Sequence, residues 1–152
     1  MKISQNGINL IKQLEGVKLG AYLDSKGIYT IGVGCTTYQD KTKVKKGDKI
    51  TQAQCDELLS YHLKHVEDWL NTYAKWCNQN QFDALCSFLH QYGTNLIGRG
   101  YLNTDTAIKT GNLGAIRRFL LNDFNHVDIK KKDGLLKKRR EKELDLFNKD
   151  VV

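Results

Sequence analysis

The chain has 152 residues, of which 40% are hydrophobic, and a formal net charge of +7 at pH 7. This length allows one domain with a hydrophobic core, or two small lobes that share an element, but excludes two independent domains of usual size. No apolar run approaches the roughly 18 residues of a membrane span, and the positive charge favours acidic partners such as nucleic acid, anionic membranes or acidic cell-wall polymers.

The first predicted element is a short amphipathic helix that begins after Ser4, a suitable N-cap, and ends at Gly16. Ile8 and Ile11 recur on its apolar face, and helical spacing puts Glu15 on the same face. Because burial disfavours the charged form of a carboxyl group, we expect the pKa of Glu15 to be raised, which suits a general acid. A solvent-facing glutamate at a helix end is the alternative.

A β-hairpin is predicted next, over residues 22–35. The sequence DSKG puts Asp24 and Gly27 at the first and fourth positions of a turn, and the strand-forming sequence IYTIGVG follows. Asp24 is therefore either a turn-forming residue or a functional carboxylate.

Strand alternation puts Thr30, Gly32 and Gly34 on one side of the second strand. Glycines beside a hydroxyl leave the backbone open to close approach by a ligand, which predicts a groove with Thr30 in its floor. A bulge or tight bend at the glycines is the alternative, and it is compatible with a groove.

The rest of the chain is predicted to be helical. TQAQ from Thr51 is a capping box that starts the longest helix, of about twenty residues, with an apolar face from Leu58 to Tyr73. The later predicted helices are one that carries Phe82, Leu85, Phe88 and Leu89, short ones around Ala107 and Ile116, and a last one from about Leu135 to Phe147.

These elements predict a mainly helical α+β fold that acts as a single domain. A small N-terminal β-containing lobe is expected at about 1–50, a connecting helix at about 51–75, and a C-terminal helical lobe at about 76–152.

The four cysteines are predicted to be free and mostly buried thiols. Cys35, Cys55, Cys77 and Cys86 form no C-x-x-C pair, and the N-terminus has no apolar segment typical of a signal peptide. Cys86 and His90 are four residues apart, but two ligands do not make a metal site. We therefore expect neither a metal nor another cofactor.

The segment LEGVKLGAYLDSKGIYTIGVG, residues 14–34, resembles the active-site signature of the phage-type lysozymes, the endolysin family of muramidases. In that family a Glu, an Asp and a Thr are separated by eight and five residues, and Glu15, Asp24 and Thr30 keep this spacing without a gap. The surrounding frame is matched by Tyr22, Gly27, Ile31, Gly32 and Gly34.

Two later segments also resemble this family, in the family's order: QFDALCSFLHQYG at 81–93 and RREKELDLF at 139–147. In the family, the first segment ends near the substrate cleft, which implies that His90 and Gln91 bind substrate. Gly32 and Gly34, in the predicted groove, are the other two expected substrate-binding positions.

The chain departs from the family pattern in three places. Cys35 stands where the family usually has His, which removes a possible structural ion pair, and HQYG replaces the commoner F-N-x-G. The family's tryptophan-containing segment before the last helix is not recognisable in NDFNHVDIKKKDG, residues 122–134.

The resemblance implies a lysozyme-like fold and hydrolysis of the β-1,4 bond between N-acetylmuramic acid and N-acetylglucosamine in peptidoglycan. In glycoside hydrolysis an acid protonates the leaving oxygen while a second carboxylate assists attack at the anomeric carbon. Glu15 would take the first role and Asp24 the second, with Thr30 holding the attacking water in an inverting reaction. A lytic transglycosylase, which needs no water held by an aspartate, is the closest alternative.

A nucleic-acid-binding module is an alternative of another class, suggested by the basic run DIKKKDGLLKKRREKE at 128–143. Arg139 and Arg140 precede Glu143 at spacings that favour pairing within a helix, however, and no base-reading motif accompanies them. We therefore expect no nucleic-acid partner.

The expected partner is peptidoglycan, bound by a monomer without stable membrane association. Because no signal peptide is recognised, we expect synthesis in the bacterial cytoplasm and release to the cell wall through a membrane lesion made by another protein, as the resemblance implies.

Overall fold

The computed structural model describes residues 1–92, 102–120 and 135–150. Over these residues, the helices and strands in chain order are α1 (Gln5–Glu15), β1 (Lys18–Leu23), β2 (Tyr29–Gly32), α2 (Gln52–Tyr73), α3 (Gln79–Tyr92), α4 (Leu102–Thr110), α5 (Leu113–Arg118) and α6 (Leu135–Asn148). The predicted α+β, mainly helical fold class is confirmed. None of the helices described here combines the length and apolar character needed to cross a membrane.

The predicted helix ends are confirmed by their hydrogen bonds. The Gly7 amide donates to Ser4 Oγ over 3.4 Å at the start of α1, and Gly16, with φ +77°, donates to the Lys12 carbonyl over 2.8 Å at its end. At the start of α2, the Gln54 amide donates to Thr51 Oγ1 and the Thr51 amide donates to Gln54 Oε1, which is the reciprocal pattern of a capping box.

Two compact units divide the chain, and one boundary falls inside α2. The sheet unit is Ile8–His65, and the helical unit comprises Met1–Gly7 and Val66–Val152. The first residues belong to the helical unit because the Ile3 amide donates to Glu67 Oε2 over 2.8 Å and the Ser4 amide donates to Asp83 Oδ1 over 2.9 Å. The sequence pattern gave no sign of these two bonds.

The sheet unit is built on the antiparallel pair β1 and β2, in which Tyr22 lies opposite Thr30 and Leu23 opposite Tyr29. On the other side of β1, the Ile50 amide donates to the Leu19 carbonyl over 2.8 Å. Behind the sheet lies an apolar cluster formed by Ile31, Cys35, Val44 and Leu58. This cluster fixes the end of β2, where several predicted site residues lie.

The helical unit has a core formed chiefly by α3, which packs against α6. The predicted apolar residues of α3 are confirmed as buried: Phe82, Leu85, Phe88 and Leu89 are each at most 1% exposed. The expectation for the end of α2 is wrong, because Tyr73 is 43% exposed and lies beneath Lys109 Nζ, 4.5 Å from its ring centre. Leu70, one turn earlier, is fully buried as expected, so apolar spacing failed only for the terminal tyrosine.

An ion-pair network lies inside the helical unit. Arg140 and Glu143 are fully buried and their Nε and Oε1 atoms are 2.8 Å apart, while Arg139 Nε lies 3.4 Å from Glu143 Oε2. Ser87 Oγ donates to Glu143 Oε2, and Arg140 Nη2 donates to Gln91 Oε1. The predicted pairing within the last helix is confirmed, and two arginines of the basic run are therefore buried. The first part of that run, 128–134, lies outside the described residues, as does the end of the 81–93 segment at Gly93.

All four cysteines are free and buried, as predicted. Burial raises the pKa of the Cys35 thiol to about 11 and that of the Cys77 thiol to about 12. Both groups are therefore neutral thiols at physiological pH.

Candidate active site

Glu15 is the last residue of α1 and is half-buried. Ile11, one turn earlier on the same face, is fully buried and fixes the orientation of the helix within the sheet unit. The Glu15 carboxylate lies against the backbone of Gly34, where an added Cβ would be 2.9 Å from Oε2. The side chain of Glu15 therefore lies beside the end of the hairpin.

Asp24 forms the hairpin turn, as predicted. The Gly27 amide donates to the Asp24 carbonyl over 3.0 Å, and the amides of Lys26 and Ile28 donate to Asp24 Oδ1 over 2.8 and 2.9 Å. Within the described residues, the hydrogen bonds to this carboxylate reach Oδ1 only. Among the described residues, the second oxygen, Oδ2, accepts no hydrogen bond.

Thr30 lies in β2 and is 4% exposed. Its Oγ1 donates to the Ile28 carbonyl over 3.0 Å. Because this bond uses the hydroxyl hydrogen, the oxygen lone pairs are the part of Thr30 that can bind a further group.

Tyr22 connects the three predicted catalytic residues. It lies opposite Thr30 in the sheet, and the pKa of its hydroxyl is raised, first by burial and then by the negative charges of Glu15 and Asp24. Both carboxylates therefore act on one half-buried phenol. In the sequence, Tyr22 was identified only as part of the family motif. Its place on the strand that precedes Thr30 in the predicted hairpin was the signal that could have assigned it to the site.

The prediction that Thr30, Gly32 and Gly34 form one open face of a strand is wrong. Gly32 and Gly34 have φ values of +67° and +70°, so the chain bends and strand alternation ends at Gly32. An added Cβ at Gly32 would meet Cys55 Sγ at 3.5 Å, in the apolar interior, whereas one at Gly34 would meet Glu15. The bend that the sequence offered as an alternative is present, and only Gly34 lies at the candidate site.

His90 and Gln91 lie near the end of α3, in the helical unit, and both are half-buried. Gln91 Oε1 accepts a hydrogen bond from Arg140 Nη2, so its carbonyl end is held by the buried network. Their assignment to substrate binding stays a prediction.

A separate cavity of about 410 Å³ lies in the sheet unit. Its lining includes Tyr38, Asp48, Lys49, Gln54 and Glu57 but none of the predicted site residues. Glu15 and Asp24 are both half-buried and lie outside the lining of this cavity.

The sequence is similar to a known protein family and to several endolysins. The phage lysozyme family model matches residues 12–143. The endolysin of Salmonella phage P22 is 47% identical over 94 residues, 61% of this chain and 64% of its own length, and that of Lactococcus phage c2 is 34% identical over 99% of this chain and 62% of its own length. The chain thus spans less than two thirds of the length of each of these two relatives.

A solved structure is similar over nearly the whole length of both chains. The endolysin from Escherichia coli O157:H7 phage FAHEc1 aligns with a TM-score of 0.80 and 32% sequence identity, covering 99% of this chain and 96% of that one.

Proposed function

The chain belongs to the phage lysozyme family, and from this premise we propose that it is a peptidoglycan-degrading endolysin that hydrolyses the β-1,4 bond between N-acetylmuramic acid and N-acetylglucosamine. One observation carries the proposal: Glu15 and Asp24, at the family spacing, both act electrostatically on Tyr22, which lies opposite Thr30. Most glycoside hydrolases use a pair of carboxyl groups to cleave the glycosidic bond.

Glu15 is the proposed general acid. Its position at the end of α1, half-buried and beside a bare glycine, supports the transfer of a proton to the leaving sugar oxygen. A protonated carboxyl group is required at the start of the step, and the product is a neutral sugar hydroxyl with Glu15 ionised.

Asp24 and Thr30 are proposed to hold the attacking water between them. Water can donate one hydrogen to Asp24 Oδ2 and the other to Thr30 Oγ1, whose own hydrogen is committed to the Ile28 carbonyl. This arrangement aims a water lone pair at the anomeric carbon, and Asp24 accepts the proton as the bond forms. The turn amides at Oδ1 keep the carboxylate in this orientation.

An inverting outcome follows from this role for water. Two carboxyl groups that admit a water are typically about 6.5 to 9.5 Å apart, and the new muramic-acid end then appears first as the α-anomer. Time-resolved NMR of the early products tests this proposal. A β-anomer at the outset, or a glycosyl adduct on Asp24, would identify Asp24 as a nucleophile.

A lytic transglycosylase would cleave the same bond without adding water and would leave a 1,6-anhydro end. Cleavage in ¹⁸O-labelled water separates the two reactions, because hydrolysis incorporates the label into the new reducing end. The nucleic-acid alternative is not favoured, since Arg139 and Arg140 of the basic run are buried with Glu143.

The proposed partner is the peptidoglycan polymer, bound by a monomer after its release from the cytoplasm. The net charge of +7 supports attraction to an acidic wall, and such attraction weakens when salt shortens the range of electrostatic interaction.

Glu15→Gln is the direct test of the proposed function. The amide retains size but cannot donate the required proton, so we expect clearing of purified peptidoglycan to fall at least about 100-fold. Glu141→Gln removes the same charge from an exposed position on α6 and is the matched control, with activity expected at the level of the parent protein. Near-normal turnover by the Glu15 variant would refute the assignment.

A further inference from the structure

We infer that Gly34 is a positioning residue for the Glu15 carboxylate, and that its lack of a side chain serves the protein's own acid rather than the substrate. This inference rests on the proposed function. An added Cβ at Gly34 would lie 2.9 Å from Glu15 Oε2 and 3.3 Å from Cδ. Two non-bonded heavy atoms of these types rarely approach so closely, so the space beside Gly34 is already occupied by the carboxylate.

The Gly34 backbone cannot easily move away from a new methyl group. Ile31 and Cys35 exchange two backbone hydrogen bonds of 2.8 and 3.0 Å across the bend that contains Gly34. Both residues are buried in the apolar cluster of the sheet unit, at 0% and 3% exposure. The bend is therefore anchored at both ends.

The Glu15 side chain, by contrast, is the more adaptable of the two contacting groups. Its carboxylate is the far end of a flexible chain, and the helix end that carries it is fixed by the Gly16 bond to Lys12. A methyl group at position 34 would thus displace or rotate the carboxylate without unfolding the hairpin. The expected consequence is a loss of proton-transfer geometry, because misplacement of a reacting group by about 1 Å can cost roughly 100-fold in rate.

The same chain provides a matched control for backbone strain. Gly47 also has a left-handed φ, +88°, but an added Cβ there meets no atom within 4 Å. Alanine at either position forces an L-residue into a disfavoured conformation, whereas only alanine at position 34 touches Glu15.

The experiment compares Gly34→Ala with Gly47→Ala on purified peptidoglycan and by thermal unfolding. We expect similar decreases in Tm, a fall in kcat of about 10- to 100-fold for Gly34→Ala alone, and KM close to that of the parent protein. If Gly34→Ala does not fold, Gly34→Asn and Gly47→Asn give the same comparison, since Asn tolerates the left-handed conformation better.

A double-mutant cycle separates positioning from a general structural effect. Glu15→Asp withdraws the carboxylate by one methylene, so we expect Gly34→Ala to have less than about a threefold further effect in that background. Equal fold-losses in both backgrounds, an equal kcat loss in Gly47→Ala, or parental kcat in Gly34→Ala would overturn the inference. A raised KM with unchanged kcat would also overturn it, by making Gly34 a substrate contact. An active Glu15→Gln protein would instead refute the proposed function itself.

Discussion

The two units of the molecule use glutamate in opposite ways. In the helical unit, Glu143 is fully buried and is surrounded by Arg139, Arg140 and Ser87. In the sheet unit, Glu15 is half-buried and lies against a backbone position without a side chain. Glu15 ends α1, whereas Glu143 lies within α6.

The difference lies in the neighbours that each carboxylate has. Burial raises the pKa of Glu143, and the charges of Arg140 and Arg139 and the Ser87 hydrogen bond oppose that rise. A carboxylate held on every side stabilises packing between α3 and α6 but cannot reach a substrate. Glu15, by contrast, is partly exposed and lies beside Gly34, so we expect the two glutamates to respond differently to the same substitution.

Removing the charge of Glu143 is expected to have the largest effect on stability. Glu143→Gln leaves two buried guanidinium groups without their counter-charge, which typically costs about 3–5 kcal/mol in the free energy of unfolding. Urea denaturation measures this loss, with the exposed Glu141→Gln as control. A loss below about 1 kcal/mol would show that the network does not stabilise the helical unit. Activity per folded molecule should stay at the parental level, in contrast to Glu15→Gln.

Asp24→Asn is expected to have the opposite effect to Glu143→Gln: activity falls, whereas the free energy of unfolding stays near that of the parent protein. The asparagine Oδ1 can still accept the amides of Lys26 and Ile28, so the turn persists, but the negative charge is lost. We expect kcat to fall about 100-fold, or roughly 3 kcal/mol of transition-state stabilisation. The measurement is initial release of reducing ends from peptidoglycan, combined with thermal unfolding.

A matched control for this substitution is available in the same unit. Asp40 also accepts hydrogen bonds within its own turn, from the Thr42 amide and hydroxyl, and it is exposed. Asp40→Asn should leave kcat unchanged. Equal effects of the two asparagine variants would remove Asp24 from the catalytic mechanism.

Helix capping is a feature in which the two units are alike, and a smaller effect is expected there. Thr51 and Gln54 cap α2, and Asn78 and Gln81 form the same reciprocal bonds of 2.8 and 2.9 Å at the start of α3. Thr51→Ala and Asn78→Ala should each lower the free energy of unfolding by about 1 kcal/mol. Denaturant titration checks this expectation, and a loss in only one variant would show that the units respond unequally to loss of a cap.

The smallest effect is expected from loss of the hydrogen bond between Tyr38 and Asp48, which lies outside the candidate active site and outside the buried ion-pair network. The pKa of Asp48 is lowered, first by the Lys45 amide and then by Tyr38, while burial and the Asp48 hydrogen bond raise the pKa of Tyr38 to about 12. Because the pKa of Asp48 is lower in the folded protein than in the unfolded chain, its ionisation stabilises the fold at pH values above about 4. This stability is lost as the pH falls through the pKa that Asp48 has in the folded protein. The raised Tyr38 pKa stabilises the fold below about 10, and this stability is lost as pH rises towards 12. Thermal unfolding of Tyr38→Phe should therefore show a weaker pH dependence at both extremes, and parental dependence would contradict this assignment.

Local chemistry in the sequence was sufficient for the parts of the fold that depend on near neighbours. The Ser4 and Thr51 caps, the turn at Asp24 and the end of α1 at Gly16 each satisfy backbone groups within a few residues, so their patterns could be recognised directly. The fixed spacing of Glu15, Asp24 and Thr30 likewise identified the family, because these residues lie in one short segment.

The tertiary structure decided what depends on contacts between distant residues. Strand alternation put Gly32 and Gly34 on one face, but their positive φ values turn one towards the apolar interior and the other towards Glu15. The partners of Glu143 and Gln91 come from different helices, some fifty residues apart in sequence. Many arrangements of the helices satisfy the same local sequence pattern, and the packing of the whole unit favours one of them. For this reason, no local pattern specifies contacts between distant residues.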